Sequence, residues 1–165
     1  MENNDIMNAV KTAIENTYPG EPVYLDRLPK DFQRPSFALE LQTETLTDVN
    51  IGLVRHSVTV LVTCFVSVDA YSDSSREALN SRQSGILAIF GRGVLQVGDR
   101  TPSVAAAKGT GTPDFAEVTA VFSWTDTRPG YVDEDTAPES ESGVPLMEHY
   151  TLRVGATPPA NRKKE

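Results

Sequence analysis

"HSVTVLVTCFVSV", His56 to Val68, is the stretch whose reading decides the fold. Apolar residues recur at Val58, Val60, Val62, Cys64, Val66 and Val68, and the intervening set is Ser57, Thr59, Leu61, Thr63, Phe65 and Ser67. A period of two over so many β-branched side chains specifies a strand. The first set makes a continuous apolar face that must lie under other elements. The second mixes hydroxyls with Leu61 and Phe65, too apolar for a simple wet face and too polar for a sandwiched one. A strand of about a dozen residues runs near 40 Å at ~3.3 Å per residue. That is long for a small domain, so one end is expected to project as a hairpin arm.

Working outward, a helix is expected from Asp5 to about Thr17. Ile6, Val10, Ala13, Ile14 and Thr17 share one face, and Asn4 or Asp5 caps it. "YPGEP" (Tyr18 to Pro22) stops it, because proline cannot continue a helix. "VYLDRL" reads as a short strand, "LPKDFQRP" as a connector, and "SFALELQT" as a strand with Phe37, Leu39 and Leu41 on one side. "ETLTDVNIG" reads as a polar link into the opening strand. After it, "SSRE" (Ser74 to Glu77) has capping-box spacing for a second helix with Leu79, Ile86 and Phe90 as its stripe. Gly85 costs that helix about 1 kcal/mol relative to alanine, and Gly91 and Gly93 end it. "VLQVGDR" and "TPSVAAAK" look like short strands. "FAEVTAVFSW" (Phe115 to Trp124) is a strong one, with Ala116, Val118, Ala120, Phe122 and Trp124 on one face. The helices do not alternate with the strands, so the fold class is α+β: a mostly antiparallel mixed sheet with two helices packed on one face.

The predicted core is Ile6, Val10, Ile14, Phe37, Leu39, Val58, Val60, Val62, Val66, Leu79, Ile86, Phe90, Val118, Phe122 and Trp124. Leu61 and Phe65 are expected to be covered by a second subunit or by the C-terminal segment. The composition changes near Thr125, which divides the chain into a domain at 1–127 and an acidic, Pro/Ser-rich extension at 128–165. The first half of that extension cannot bury enough apolar area to fold alone. Its second half, "LMEHYTLRV", holds Leu146, Met147, Tyr150, Leu152 and Val154, a set able to dock on a partner.

The 165 residues are 39% hydrophobic and carry a net charge of −8, which suits one core and disfavours nucleic-acid or anionic lipid binding by the body. No apolar run approaches the roughly 20 residues of a membrane span, and "MENNDIMNAV" is wrong for a signal peptide. Cys64 is the sole cysteine, so no intramolecular disulfide forms, and a cytosolic site of synthesis and assembly is expected.

No catalytic, cofactor or metal site emerges. His56 and His149 lie in no HxxE or HxxxH frame. Cys64 sits among core valines, as an inert buried thiol. "GRGVLQVG" misses the dinucleotide pattern and "KGTGTP" lacks the lysine and serine of a phosphate loop, so both read as turns. "DEDTAPESES" lacks the order of a calcium loop. The residues describe a protein that works by its surfaces.

Three stretches carry a family resemblance: "IMNAVKTAIENTYPG" followed by "PVYLDRLPKDFQRPSFALEL", then "RHSVTVLVTCFVSVDAYSDSSREALNSR", then "FAEVTAVFSW". Over roughly Ile6 to Thr127 the chain resembles the tail-terminator (tail-completion) proteins of phages and prophages of Gram-positive bacteria. The resemblance implies a non-enzymatic virion protein with no cofactor. Such proteins form a ring, commonly hexameric, that caps the completed tail tube and joins it to the connector or neck of the head. The implied partners are other copies of itself, the tube protein, the connector or neck protein and, in a contractile tail, the sheath. DNA passes through the lumen without specific binding. In that setting the polar link Thr43 to Arg55 is a candidate projecting loop, with Glu44 and Asp48 facing lumen or tube and Arg55 pairing with an acid on a neighbour. Two other readings stay open: a neck adaptor, and a small-molecule-binding or enzymatic α+β domain whose site is not visible in the sequence.

Overall fold

The period-two run of valines forms the centre of a sheet. In a computed structural model, which describes residues 1–71 and 73–131, the elements are α1 (Asn3–Thr17), β1 (Val23–Leu25), β2 (Ser36–Asp48), β3 (Leu53–Phe65), α2 (Arg76–Ile89), β4 (Ser103–Gly111) and β5 (Ala116–Thr127). The described residues form a five-stranded sheet in the order β1-β2-β3-β5-β4, parallel between β1 and β2 and antiparallel elsewhere. This is the α+β class expected from the pattern.

Both helices lie on the apolar face of β3. Ile6, Met7, Val10 and Ile14 of α1 and Ile86 of α2 share one buried cluster with Phe37, Leu39, Val58, Val60, Val62, Cys64, Val118, Ala120 and Phe122. Each buried valine stabilises by roughly 1.5–3 kcal/mol, so the row through β3 alone accounts for much of the fold. Of the predicted core only Trp124 departs: it is half-buried at the margin, because its strand has by then passed beyond the helices. Among the described residues no helix covers the other face.

Several boundaries move for local reasons. Helix α1 starts earlier than expected, at Asn3, because the Asp5 carboxylate accepts the Glu2 N–H at 2.8 Å. The cap of α2 is Ser75, whose Oγ accepts the Ala78 N–H, rather than Ser74. Strand β3 ends at Phe65, not Val68. There the Asp69 carboxylate gathers the N–H groups of Tyr71 and Asp73 into a turn, and Val68 is left 40% exposed. "VLQVGDR" is a turn, not a strand. Gly98 adopts φ 59° inside it, a left-handed conformation that glycine takes at no steric cost.

The largest revision concerns the link Thr43 to Arg55. It is a ladder, not a loop. Strand β2 continues to Asp48, and its Thr43, Thr45 and Thr47 stand opposite Thr59, Ser57 and Arg55. The turn is only Val49 to Gly52, held by the Asn50 side chain, which accepts N–H bonds from Gly52 and Leu53 at 2.9 and 2.8 Å. Threonine reads as polar in a hydropathy pattern, yet its branched Cβ suits a strand.

A buried amide closes the opposite side of the sheet. The β4–β5 ladder breaks register between Lys108 and Gly111. Buried Gln83 of α2 donates from Nε2 to the carbonyls of Glu117 at 2.6 Å and Gly109 at 3.3 Å. It thereby satisfies the carbonyls that the irregularity leaves without a ladder partner.

Candidate functional site

The surface feature that stands out is the outer half of the β2–β3 hairpin. Beyond the helices it runs from about Thr43 through the turn to Ser57, with β5 alongside to Thr127 opposite Leu53. Its turn end carries large apolar side chains in water: Leu46 is 58% exposed and Ile51 80% exposed, with Val49 and Leu53 beside them. Clustered exposed apolar groups of this kind mark interaction surfaces more often than chance. The turn is rigidly backed. Arg128 binds the Asp48 carboxylate at 2.8 Å and the Asn50 carbonyl at 3.3 Å, and its own N–H donates to the Gly52 carbonyl. The Tyr131 ring lies so close to Gly52 that a Cβ there would meet it at 2.7 Å.

The expected site residues separate. Glu44 lies on the helix side of the arm, where its carboxylate accepts the Asn3 side-chain amide at 2.7 Å. Asp48 is paired with Arg128. Arg55 projects from the opposite, open face, in register with Thr47 and Thr125, and among the described residues it makes no ion pair. Leu61 sits at the centre of that open face, half-buried between Glu40 and Thr119. Phe65 is different. It is only 7% exposed, its ring packing 4.7 Å from that of Phe32 and 6.2 Å from that of Phe115. The Arg34 guanidinium stacks over it at 5.2 Å. Its own chain covers it, which replaces the expected cover by a second subunit or the C-terminal segment. Leu146, Met147, Tyr150, Leu152 and Val154, and the extension as a whole past Tyr131, lie outside the described residues.

The polar composition of "TLTDVNIGL" masks the apolar turn, although the stretch holds Leu46, Val49, Ile51 and Leu53. The signal was the Asn-x-Gly turn between β-branched residues. A second cluster, at the edge of the core, has no signature in the sequence. His56 stacks on Trp124 with centroids 4.9 Å apart and planes 3° from parallel. The Asp126 carboxylate accepts the Trp124 indole N–H at 3.0 Å and is paired with Arg100. Partial burial pushes the Asp126 carboxyl up. The bonds from Arg100 and Trp124, with the nearby charges, outweigh that and hold it below the ordinary carboxylate value. This is a clamp between β5 and the Val97–Arg100 turn.

Chemistry elsewhere is bland. Burial pushes the Cys64 thiol up to about 12, so it is not a nucleophile at neutral pH. Among the described residues no group of three or more His, Cys, Asp or Glu could hold a metal ion, and no helix is long and apolar enough to cross a membrane.

No curated protein matches the chain. A family model described as phage tail terminator protein matches residues 5–114, about two-thirds of the sequence. The match takes in all but the first two residues of α1, the β2–β3 hairpin, α2 and the whole of β4, and ends before β5. The chain belongs to the phage tail terminator family, and its work is in the assembly of the virion tail.

Proposed function

We propose that the protein assembles into a closed ring, prevented from growing further by that closure, that caps the finished tail tube and presents a docking surface to the connector or neck of the head. The observation that supports this reading most is the arm: a stiff, apolar-ended projection on a chain of the tail terminator family. A ring needs a head-to-tail interface whose rotation closes, and it also needs surfaces above and below for tube and connector. The open face, with Leu61 and Arg55, and the turn end of the arm, with Ile51, would supply separate surfaces for those roles. With a chain charge of −8, a lumen lined by this protein would repel the DNA that passes through it. Assembly would take place in the host cytoplasm, and the extension 128–165, through Leu146, Met147, Tyr150, Leu152 and Val154, would fasten a neighbouring subunit or an adjacent tail protein. The sheath is a further partner if the tail is contractile.

The test is a phage or prophage deleted for this reading frame and examined by electron microscopy. Loss should give heads without attached tails, and tubes of irregular, excessive length. Complementation with the intact protein should restore joined particles, and complementation with Ile51→Asp should not. Tails of normal length joined to heads in the deletion would refute the proposal.

A further inference from the structure

Among the described residues the sheet is open at both ends, and the strands at its two free edges differ in charge. On the β2 side, β1 pairs only with Phe37 to Leu39, so among the described residues the rest of β2 has no outer neighbour strand. The peptide groups that point outward there follow from the ladder. The Val49 N–H turns inward to the Leu53 carbonyl. By the two-residue period, Glu44, Leu46 and Asp48 turn outward. On the other side, the Val104 N–H points outward to the Gly93 carbonyl. Ala106 and Lys108 therefore also point outward, and among the described residues their outer peptide groups have no partner.

Strand β2 contains Glu40, Glu44 and Asp48 and no basic residue, while β4 contains Lys108 and no acidic one. Arg76, whose guanidinium reaches Gly111, adds to the basic side. The start of β4 is met by the 93–95 segment, but beyond Val104 its side chains up to Lys108 are alanines, which obstruct the edge little.

We infer that the β2 edge of one copy pairs with the β4 edge of the next, so that the sheets join head to tail. Charge selects this pairing. Two β2 edges brought together around Leu46 would set Glu44 against Asp48, whereas an antiparallel β2 against β4, with Leu46 opposite Ala106, sets Glu44 against Lys108. Like charges across an interface suppress that pairing, and opposite ones fix the register. The choice has a geometric result: like-to-like edges give a closed dimer, and unlike edges give a heterologous contact, the kind that builds rings. The open ladder is short, so one contact is weak. Ring closure makes the last contacts intramolecular and raises their effective concentration. The inference rests on the ring reading and names the surfaces that make the ring.

The experiment uses the full chain and follows assembly by sedimentation velocity across concentration. Lys108→Glu alone and Glu44→Lys alone should each shift the assembly midpoint upward by about tenfold or more, because each sets like charges together. The double variant restores opposite charges and should return to within about threefold of the parent. Circular dichroism of each variant separates this from unfolding. In parallel, Leu46→Cys and Ala106→Cys in one chain should give intermolecular disulfide ladders on mild oxidation. Rings that tolerate both reversals and give no ladders would overturn the edge pairing and leave the ring standing. Cross-linking as efficient with Leu46→Cys alone would establish like-to-like pairing instead. A chain that stays monomeric at every concentration, with and without the tube protein, would overturn both.

Discussion

Gly85 sits inside α2, where glycine costs about 1 kcal/mol against alanine, so propensity alone says that Gly85→Ala should stabilise. The structure reverses the sign. An added Cβ would lie 1.9 Å from the Tyr18 hydroxyl oxygen and 3.2 Å from the ring carbon that bears it. The ring has little freedom to retreat. It packs on Phe37 at 5.0 Å, and the Arg82 guanidinium lies 4.9 Å over it while paired with the Glu21 carboxylate. Overpacking costs about 1–3 kcal/mol, so Gly85→Ala should be net destabilising by up to about 2 kcal/mol once the propensity gain is subtracted. Removing the hydroxyl first removes the severe overlap and leaves only the 3.2 Å ring contact, which a shift of a few tenths of an ångström relieves. In a Tyr18→Phe background, Gly85→Ala should recover the propensity gain and stabilise by about 0.5–1 kcal/mol. Urea unfolding followed by the fluorescence of Trp124, the sole tryptophan, measures all four corners of the cycle. The midpoint should fall for Gly85→Ala in the parent and rise in the Tyr18→Phe background. Equal shifts in both backgrounds, within the ~0.3–0.5 kcal/mol expected of independent sites, would refute the reasoning.

Other outcomes follow from the same contacts. Gln83→Ala strands the Gly109 and Glu117 carbonyls and should cost about 1–3 kcal/mol in urea unfolding. Phe65→Ser should lose about 3–5 kcal/mol in thermal or urea unfolding, because Phe32, Phe115 and Arg34 lose their common partner. A folded, stable variant deficient only in assembly would restore the intersubunit role. The folded carboxyl of Asp126 is held below its ordinary value of 3.8, so its stabilisation is fully present above that pH and lost as pH falls further. The melting-temperature gap between the parent and Asp126→Asn should therefore be constant from pH 5 upward and narrow below about pH 4. Cys64, neutral and buried, should react with a thiol reagent at pH 8 only as fast as the protein opens.

The parts of the fold that were legible are those governed by period and burial. Val58 to Cys64 and Ala116 to Phe122 alternate strictly, and each alternate residue is buried as the pattern demands. The arm was only half legible. Its length was foreseen from β3, but the threonines of β2 hid a strand inside a polar composition. Phe65 misled for a different reason. Its place on the open face was right, yet its cover comes from Phe32 and Phe115, in segments whose approach depends on tertiary structure and leaves no local signal. The charge asymmetry of the sheet edges was visible as composition in "SFALELQTETLTD" and "SVAAAKGTG". Its meaning required the strand order, which no local pattern states.

The arm is not a free hairpin. Strand β5 follows β3 to its end, pairing Thr127 with Leu53, and Arg128 then reaches across to Asp48. Two-stranded ribbons are marginal in water and twist easily, whereas a third strand adds a second ladder along the whole length. The projection therefore behaves as a beam anchored in the core rather than as a tether. Whatever grips Ile51 must accept the orientation of the whole domain, and a tilt imposed there reaches the β3 valines and the helices above them without being absorbed on the way.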